Sequence, residues 1–278
     1  MRKFLKTTVL TATAAGLVVG LTACSSGGSS DAASADPNKP LVIAATSTPH
    51  AQILKFVQDN LASQAGLKLD IKEVSDYVTP NTSVQDGSAD ANFFQHQPYL
   101  DDFNKKNGTD LVTVETVHLE PLGAYSHKVK NLADLKDGAV VSVPSDATNE
   151  GRALKLLADN NLITLKDGAG TTATADDIAS NPKHLKIKEL EAAQLPRSLD
   201  DVDASVINSN FAIGAGLKPT SDALVVEKAQ DNPYANILVV KKGHQEDPRV
   251  KKLAELLHSD AVKKYIEDNF QGAVIPAF

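Results

Sequence analysis

Residues 140–157, Val-Val-Ser-Val-Pro-Ser-Asp-Ala-Thr-Asn-Glu-Gly-Arg-Ala-Leu-Lys-Leu-Leu, constrain the fold more than any other stretch. Four β-compatible residues end at Pro144, a polar run follows, and apolar residues then recur at Ala153, Leu154, Leu156 and Leu157 with helical spacing. The pattern predicts strand, short loop, helix. Such a turn points unpaired N–H groups and the positive end of a helix dipole out of the carboxyl edge of a sheet, where α/β proteins hold anionic groups. Arg152 falls in that first turn and can grip a carboxylate with two parallel hydrogen bonds. The same segment also reads as an ordinary N-capped helix carrying a solvated arginine.

The alternation extends along the chain. An apolar run at 41–45 leads into the loop Ser47-Thr-Pro-His50 and a helix with Ile53, Leu54, Phe56, Val57 and Leu61 on one face, stopping at Gly66. A strand at 69–74, a short helix from Pro80 to Gly87, a strand at 90–96 and a helix at 98–107 follow, the β-α-β order of a parallel sheet. Extended runs at 111–117 and 119–126 bend near Pro121. A second alternating set starts at Ala139, with a helix expected at 174–180, strands at 185–189, 204–207, 224–227 and 237–240, and terminal helices at 250–257 and 261–270. Two α/β lobes joined by extended crossings account for this order better than one sheet.

The start of the chain sets the compartment. Arg2, Lys3 and Lys6 precede an acid-free apolar stretch too short for a spanning helix, followed by Leu21-Thr-Ala-Cys24. Leu-Thr-Ala-Cys resembles a bacterial lipobox, so residues 1–23 read as a lipoprotein signal peptide and Cys24, the single cysteine, as the lipidated N-terminus. Residues 24–40, rich in Ser, Gly, Ala and Asp, read as a disordered tether. Removing Arg2, Lys3 and Lys6 from 28 basic residues leaves 25 against 35 acids, a net −10, which argues against nucleic acid as a partner.

Unusual side chains cluster just beyond strands: Ser47 to His50, Tyr77, Phe94, His96, Arg152 and Asn208, on rims that would face each other across a cleft. Catalysis finds little support. The seven histidines are scattered without a His-Glu-x-x-His pattern, and neither a Gly-x-Ser-x-Gly elbow nor a phosphate-binding glycine loop is present. No cofactor is expected. A hydrolase on the same frame lacks a nucleophile motif, and an adhesion or scaffold lipoprotein would have no use for polar rims.

Five motifs then bear on identity: Asp76-Tyr-Val-x-Pro-Asn81, Asp90-Ala-Asn-x-Phe-Gln-His-x-Pro-Tyr-Leu100, Asp146-x-Thr-Asn-x-Gly-Arg152, Glu189-Leu-Glu-Ala-x-Gln-Leu-Pro-Arg197 and Asn232-Pro-Tyr-Ala-Asn236. In this order, and with the lipobox, they closely resemble the methionine-binding lipoproteins (NlpA/MetQ family) of bacterial ABC importers. The resemblance implies a two-lobe, type II periplasmic-binding-protein-like α/β fold with a hinge and the ligand in the interlobe cleft. Lobe one would take 41–118 and 230–278, lobe two 119–229. It implies that Arg152 binds the α-carboxylate helped by Asn208, that Asn236 completes the polar end, and that Tyr77, Phe94 and His96, with His118 and Tyr125, line the side-chain pocket. It further implies a monomeric, non-enzymatic protein, lipid-anchored on the extracytoplasmic face of the cell membrane, delivering L-methionine to a permease and its ATPase. Another apolar amino acid or a methionine-containing dipeptide is the alternative ligand.

Overall fold

The computed structural model describes residue 36 and residues 38–278; the expected signal peptide, Cys24 and most of the tether lie outside the described residues. The first half of the chain builds β1 (Leu41–Thr46), α1 (Gln52–Val57, its helical turns running on through Gln58–Ala62), β2 (Leu69–Val74), α2 (Thr79–Asp86), β3 (Ala91–His96), α3 (Gln97–Asn107) and β4 (Leu111–Leu119). Next come β5 (Gly123–Tyr125), β6 (Val140–Pro144), α4 (Ala147–Asp159), β7 (Thr164–Leu165), β8 (Ile178–Ser180), β9 (Lys186–Leu190), α5 (Leu195–Ser198), β10 (Ala204–Ile207), α6 (Ser209–Gly214) and β11 (Val225–Val226). The chain closes with β12 (Ala235–Lys241), α7 (Pro248–Leu257), α8 (Asp260–Phe270) and β13 (Ile275–Pro276).

Two sheets divide these strands. One runs β13-β4-β12-β3-β1-β2 and the other β11-β5-β10-β6-β9. β1, β2 and β3 are parallel, as helical crossovers require, whereas β12 runs antiparallel between β3 and β4. The chain leaves the first sheet after Leu119 and returns to it at Ala235, so it crosses twice between the halves. α7 and α8 pack on the first sheet: Val250, Leu253, Leu257, Val262 and Ile266 share a core with Leu41, Ile43, Ile53, Leu54 and Val57. Arg249 clasps the two ends of this half, donating to the Pro40 carbonyl at 3.0 Å and pairing with Asp90 at 3.1 Å and Asp247 at 2.7 Å. The second half has its own core of Leu122, Val141, Val143, Leu154, Leu157 and Val206.

One expected element differs. Residues 174–180 form a single capped turn, with Thr174 and Asp177 in a capping box, and then the strand β8 pairs with β7. Thr174, Asp176 and Asp177, three of the first five residues, leave no continuous apolar face to bury, so the helix ends once its cap is satisfied.

β12 carries three irregularities, its register shifting between Asn236 and Ile237 and between Leu238 and Val239 against β4, and between Ile237 and Leu238 against β3. Bulges re-aim side chains. Asn236 consequently sits in register with His96 of β3 on one side and His118 of β4 on the other.

Helix α4 is fixed by an Asp146 N-cap, whose carboxylate accepts from the Asn149 N–H at 3.1 Å, and by close approach at Gly151. A Cβ there would lie 2.5 Å from the Thr171 carbonyl oxygen and 2.9 Å from the Ala173 nitrogen, both main-chain atoms. Gly151→Ala is therefore expected to lower stability by about 1–3 kcal/mol, the usual cost of overpacking. A urea denaturation midpoint equal to that of the unchanged protein would show that the segment at 171–173 yields freely.

Candidate functional site

A cavity of about 340 Å³, counted out to its mouth, lies between the two sheets. From the first half come Tyr77, just after β2, Phe94, Gln95 and His96 at the end of β3, Tyr99 of α3, and Asn236 of β12. The second half contributes Asn149 and Arg152 of α4, Asn208 at the end of β10, and Ser209 and Asn210 of α6; Glu120 enters from the first crossing.

Arg152 is buried and already paired. Its Nε donates to Glu227 Oε1 at 2.8 Å and its Nη2 to Glu227 Oε2 at 2.6 Å and to the Glu120 carbonyl at 2.7 Å. The guanidinium lies 4.4 Å over the Tyr234 ring, a cation–π contact. The fork that the α4 turn was expected to offer a ligand carboxylate is thus held by Glu227, because the second crossing brings that acid against α4. Among the described residues Nη1 makes no hydrogen bond within the chain, so that end of the group is the one open to a ligand.

A chain of polar contacts crosses the cleft. Asn149 Nδ2 donates to both Asp146 oxygens, at 2.9 and 3.0 Å, so Asn149 Oδ1 must be the acceptor for His96 Nε2 at 3.2 Å and Asn208 Nδ2 at 3.0 Å. His96 Nδ1 accepts from the Tyr99 N–H at 3.2 Å, which fixes the Nε2–H tautomer. The ordered amides leave Asn208 Oδ1 buried and without a partner. Asn208 therefore presents an acceptor, suited to an ammonium, where the resemblance placed a helper for the carboxylate. Tyr77 crosses the same gap, donating its hydroxyl to Asn210 Oδ1 at 2.6 Å.

The aromatic wall is Tyr77, Phe94 and Tyr99, with ring centroids 5.8 to 5.9 Å apart. Burial lifts the Tyr77 phenol well above its ordinary range, so it stays an O–H donor.

His118 and Tyr125 do not reach the cavity. His118 is fully buried behind Glu120, to which its Nε2 is bonded at 2.8 Å. Tyr125 lies under Gly123 in a cluster with Leu195, Leu199 and Ile207. Both follow from strand alternation: neighbouring residues on one strand face opposite sides, and position in a strand does not say which side is the cleft. Glu120, Asn149, Tyr99, Asn210, Glu227 and Tyr234 were not singled out from the sequence. A signal existed for Glu120, a lone acid in the apolar run around Pro121, and Asn149, Tyr99 and Tyr234 lie inside the quoted motifs.

His50, His118 and Glu120 place one donor atom each within 4.8 Å of one another, close enough for a metal ion. A metal on both Nε2 atoms would move the proton of His118 to Nδ1, which is buried with no acceptor beside it. Neutral rings, His118 donating to Glu120 and His50 to Asn236, satisfy the cluster better.

Burial holds His50 down to about 4, and His96 and His118 down to about 3. Each is neutral in the folded chain and takes a proton near 6.5 once unfolded, so its contribution is complete above that value and is lost as pH falls from 6.5 towards 4. Glu120, Asp146 and Glu150, each raised above its ordinary value chiefly by burial, work in the opposite sense and offset part of this at the acid end of the window. Stability should fall by about 1.4 kcal/mol per pH unit for each uncompensated histidine in that window. Urea titrations at pH 7.5, 6 and 5 that gave one common free energy would contradict this.

Two α/β halves, two crossings between them and a polar, aromatic-walled cavity at their junction define a two-lobed substrate-binding protein. The family model described as NlpA lipoprotein matches residues 41–278. The methionine-binding lipoprotein MetQ of Bacillus subtilis is 43% identical over 243 residues, 86% of this chain and 88% of that one. The D-methionine-binding lipoprotein MetQ of Salmonella typhimurium is 43% identical over 226 residues, 81% of this chain and 83% of its own. A nutrient-binding protein from Burkholderia cenocepacia, solved bound to methionine, superposes with a TM-score of 0.83 at 44% identity, covering 86% of this chain and all of the other. The chain belongs to the NlpA lipoprotein family. Among the described residues, no helix is long and apolar enough to cross a membrane.

Proposed function

We propose that this protein is the substrate-binding component of an ABC importer, capturing methionine outside the cytoplasm and passing it to a permease driven by an ATPase. In this reading it acts as a monomer without catalysis, and a lipid on Cys24 anchors it to the membrane. The observation that carries the reading is the juxtaposition, in one small cavity, of a buried arginine with one free end, a buried carboxylate, an unpartnered amide oxygen and a wall of aromatic rings. A zwitterion is costly to desolvate unless both ends find partners, and here Arg152 faces the carboxylate while Glu120, Asn208 Oδ1 and Asn236 face the ammonium. A thioether gains from sulfur–ring contact with Tyr77, Phe94 and Tyr99. The names of the relatives and the methionine in the Burkholderia structure support the choice of ligand.

Thermal denaturation of ligand-stripped protein against the twenty amino acids tests the reading, since a ligand of the folded state raises its melting temperature by mass action. Methionine should stabilise most. Leucine, branched and without sulfur, should bind about 1–3 kcal/mol more weakly. Stabilisation by none of the twenty, or equal effects of leucine and methionine, would sink the assignment.

Arg152→Ala should weaken methionine binding by about 1.5–3 kcal/mol or more, because the carboxylate is then buried without a charged partner. Arg152→Lys, which cannot serve Glu227 with a planar fork and a ligand with the remaining end, should recover only part. Calorimetric titration showing wild-type affinity in Arg152→Ala would leave the arginine with only its structural pairing to Glu227.

A further inference from the structure

Behind the cavity wall, His50 and His118 converge on the carboxylate of Glu120 without touching the ligand space themselves. His118 Nε2 lies 2.8 Å from Glu120 Oε1 and His50 Nε2 lies 3.3 Å from the same oxygen. His50 Nε2 is also 2.9 Å from Asn236 Oδ1, and its Nδ1 is 2.7 Å from the Thr46 hydroxyl. The tautomers follow from the partners: both rings carry Nε2–H, with Thr46 donating to His50 Nδ1. The rings are locked edge-on to Phe93, with centroids at 4.7 Å for His50 and 5.3 Å for His118. His118 donates its N–H to Glu120, and His50 donates its N–H to Asn236 Oδ1 while flanking the same carboxylate, so each ring sets the rotamer of one buried acceptor.

We propose that His118 and His50 are positioning residues that hold Glu120 and Asn236, respectively, as acceptors for an α-ammonium group and thereby make the site demand a free amino acid. The inference rests on the methionine reading above, deepening it to a statement of which end of the ligand is proofread. A carboxylate fixed by the His118 donor on its rear oxygen leaves its remaining lone pairs directed forward into the cavity. A ligand lacking the ammonium would strand that charge unpaired. The titratable or charged groups facing Glu120 are His50 beyond β1, Tyr77 beyond β2, His118 of β4 and Arg152 of α4, the last already neutralised by Glu227. Burial lifts the Glu120 carboxyl above its ordinary range, and an ammonium held against it would draw it back down.

The test compares methionine with 4-(methylthio)butanoic acid, the same chain without its amino group, by calorimetry on the full chain. The unchanged protein should prefer methionine by roughly a hundredfold, and His118→Ala should cut that ratio by roughly tenfold, most of the loss falling on methionine. His118→Gln, whose side-chain N–H can take the place of Nε2–H, should restore the ratio. Equal weakening of both ligands in His118→Ala would mean a purely structural role and overturn the proposal. If the unchanged protein bound no methionine at all, the methionine reading itself would fail, an outcome separate from that one.

Discussion

The cleft depends on the ion pair between Arg152 and Glu227. Both side chains are nearly buried, at 3% and 11% exposure, and they come from helix α4 and from the segment that returns the chain to the first sheet. Glu227 also accepts from the Leu122 N–H at 2.9 Å, and Arg152 donates to the Glu120 carbonyl. One buried pair therefore ties together both crossings and the binding helix at the place where a two-lobed protein must bend. A pair of this kind adds little net stability against an apolar substitute, but breaking it is expensive, so it specifies geometry more than it strengthens the fold. In the proposed function its consequence is a preorganised arginine, with one end spent on Glu227.

Around that pair the polar groups form directed series. Asp146 orients Asn149, Asn149 orients His96 and Asn208, and the series ends on an unpartnered oxygen at the cavity. A parallel series runs from Thr46 through His50 to Asn236. In a low-dielectric interior each donor fixes the next acceptor, so a terminal group can be oriented by a charge several bonds away. Contacts such as His96 to Asn149 and Tyr77 to Asn210 join the halves directly across the gap, an arrangement that a transporter can distinguish from an open one.

The amino-acid sequence by itself determined the alternation of strands and helices, the N-capped turn at Asp146 that carries Arg152, and the rim positions Tyr77, Phe94, His96 and Asn208, because period, caps and strand ends are local properties. The motifs determined the family. Only tertiary structure decided which crossing residues enter the cleft, since Glu120 and Glu227 owe their roles to segments more than a hundred residues apart. It decided that Asn208 offers oxygen instead of nitrogen, because that follows from a chain of partners in three elements. It also set His118 behind Glu120 and Tyr125 beneath Gly123. A strand pattern gives two faces, and which of them looks into a cavity is settled by the second lobe, whose position no local spacing encodes.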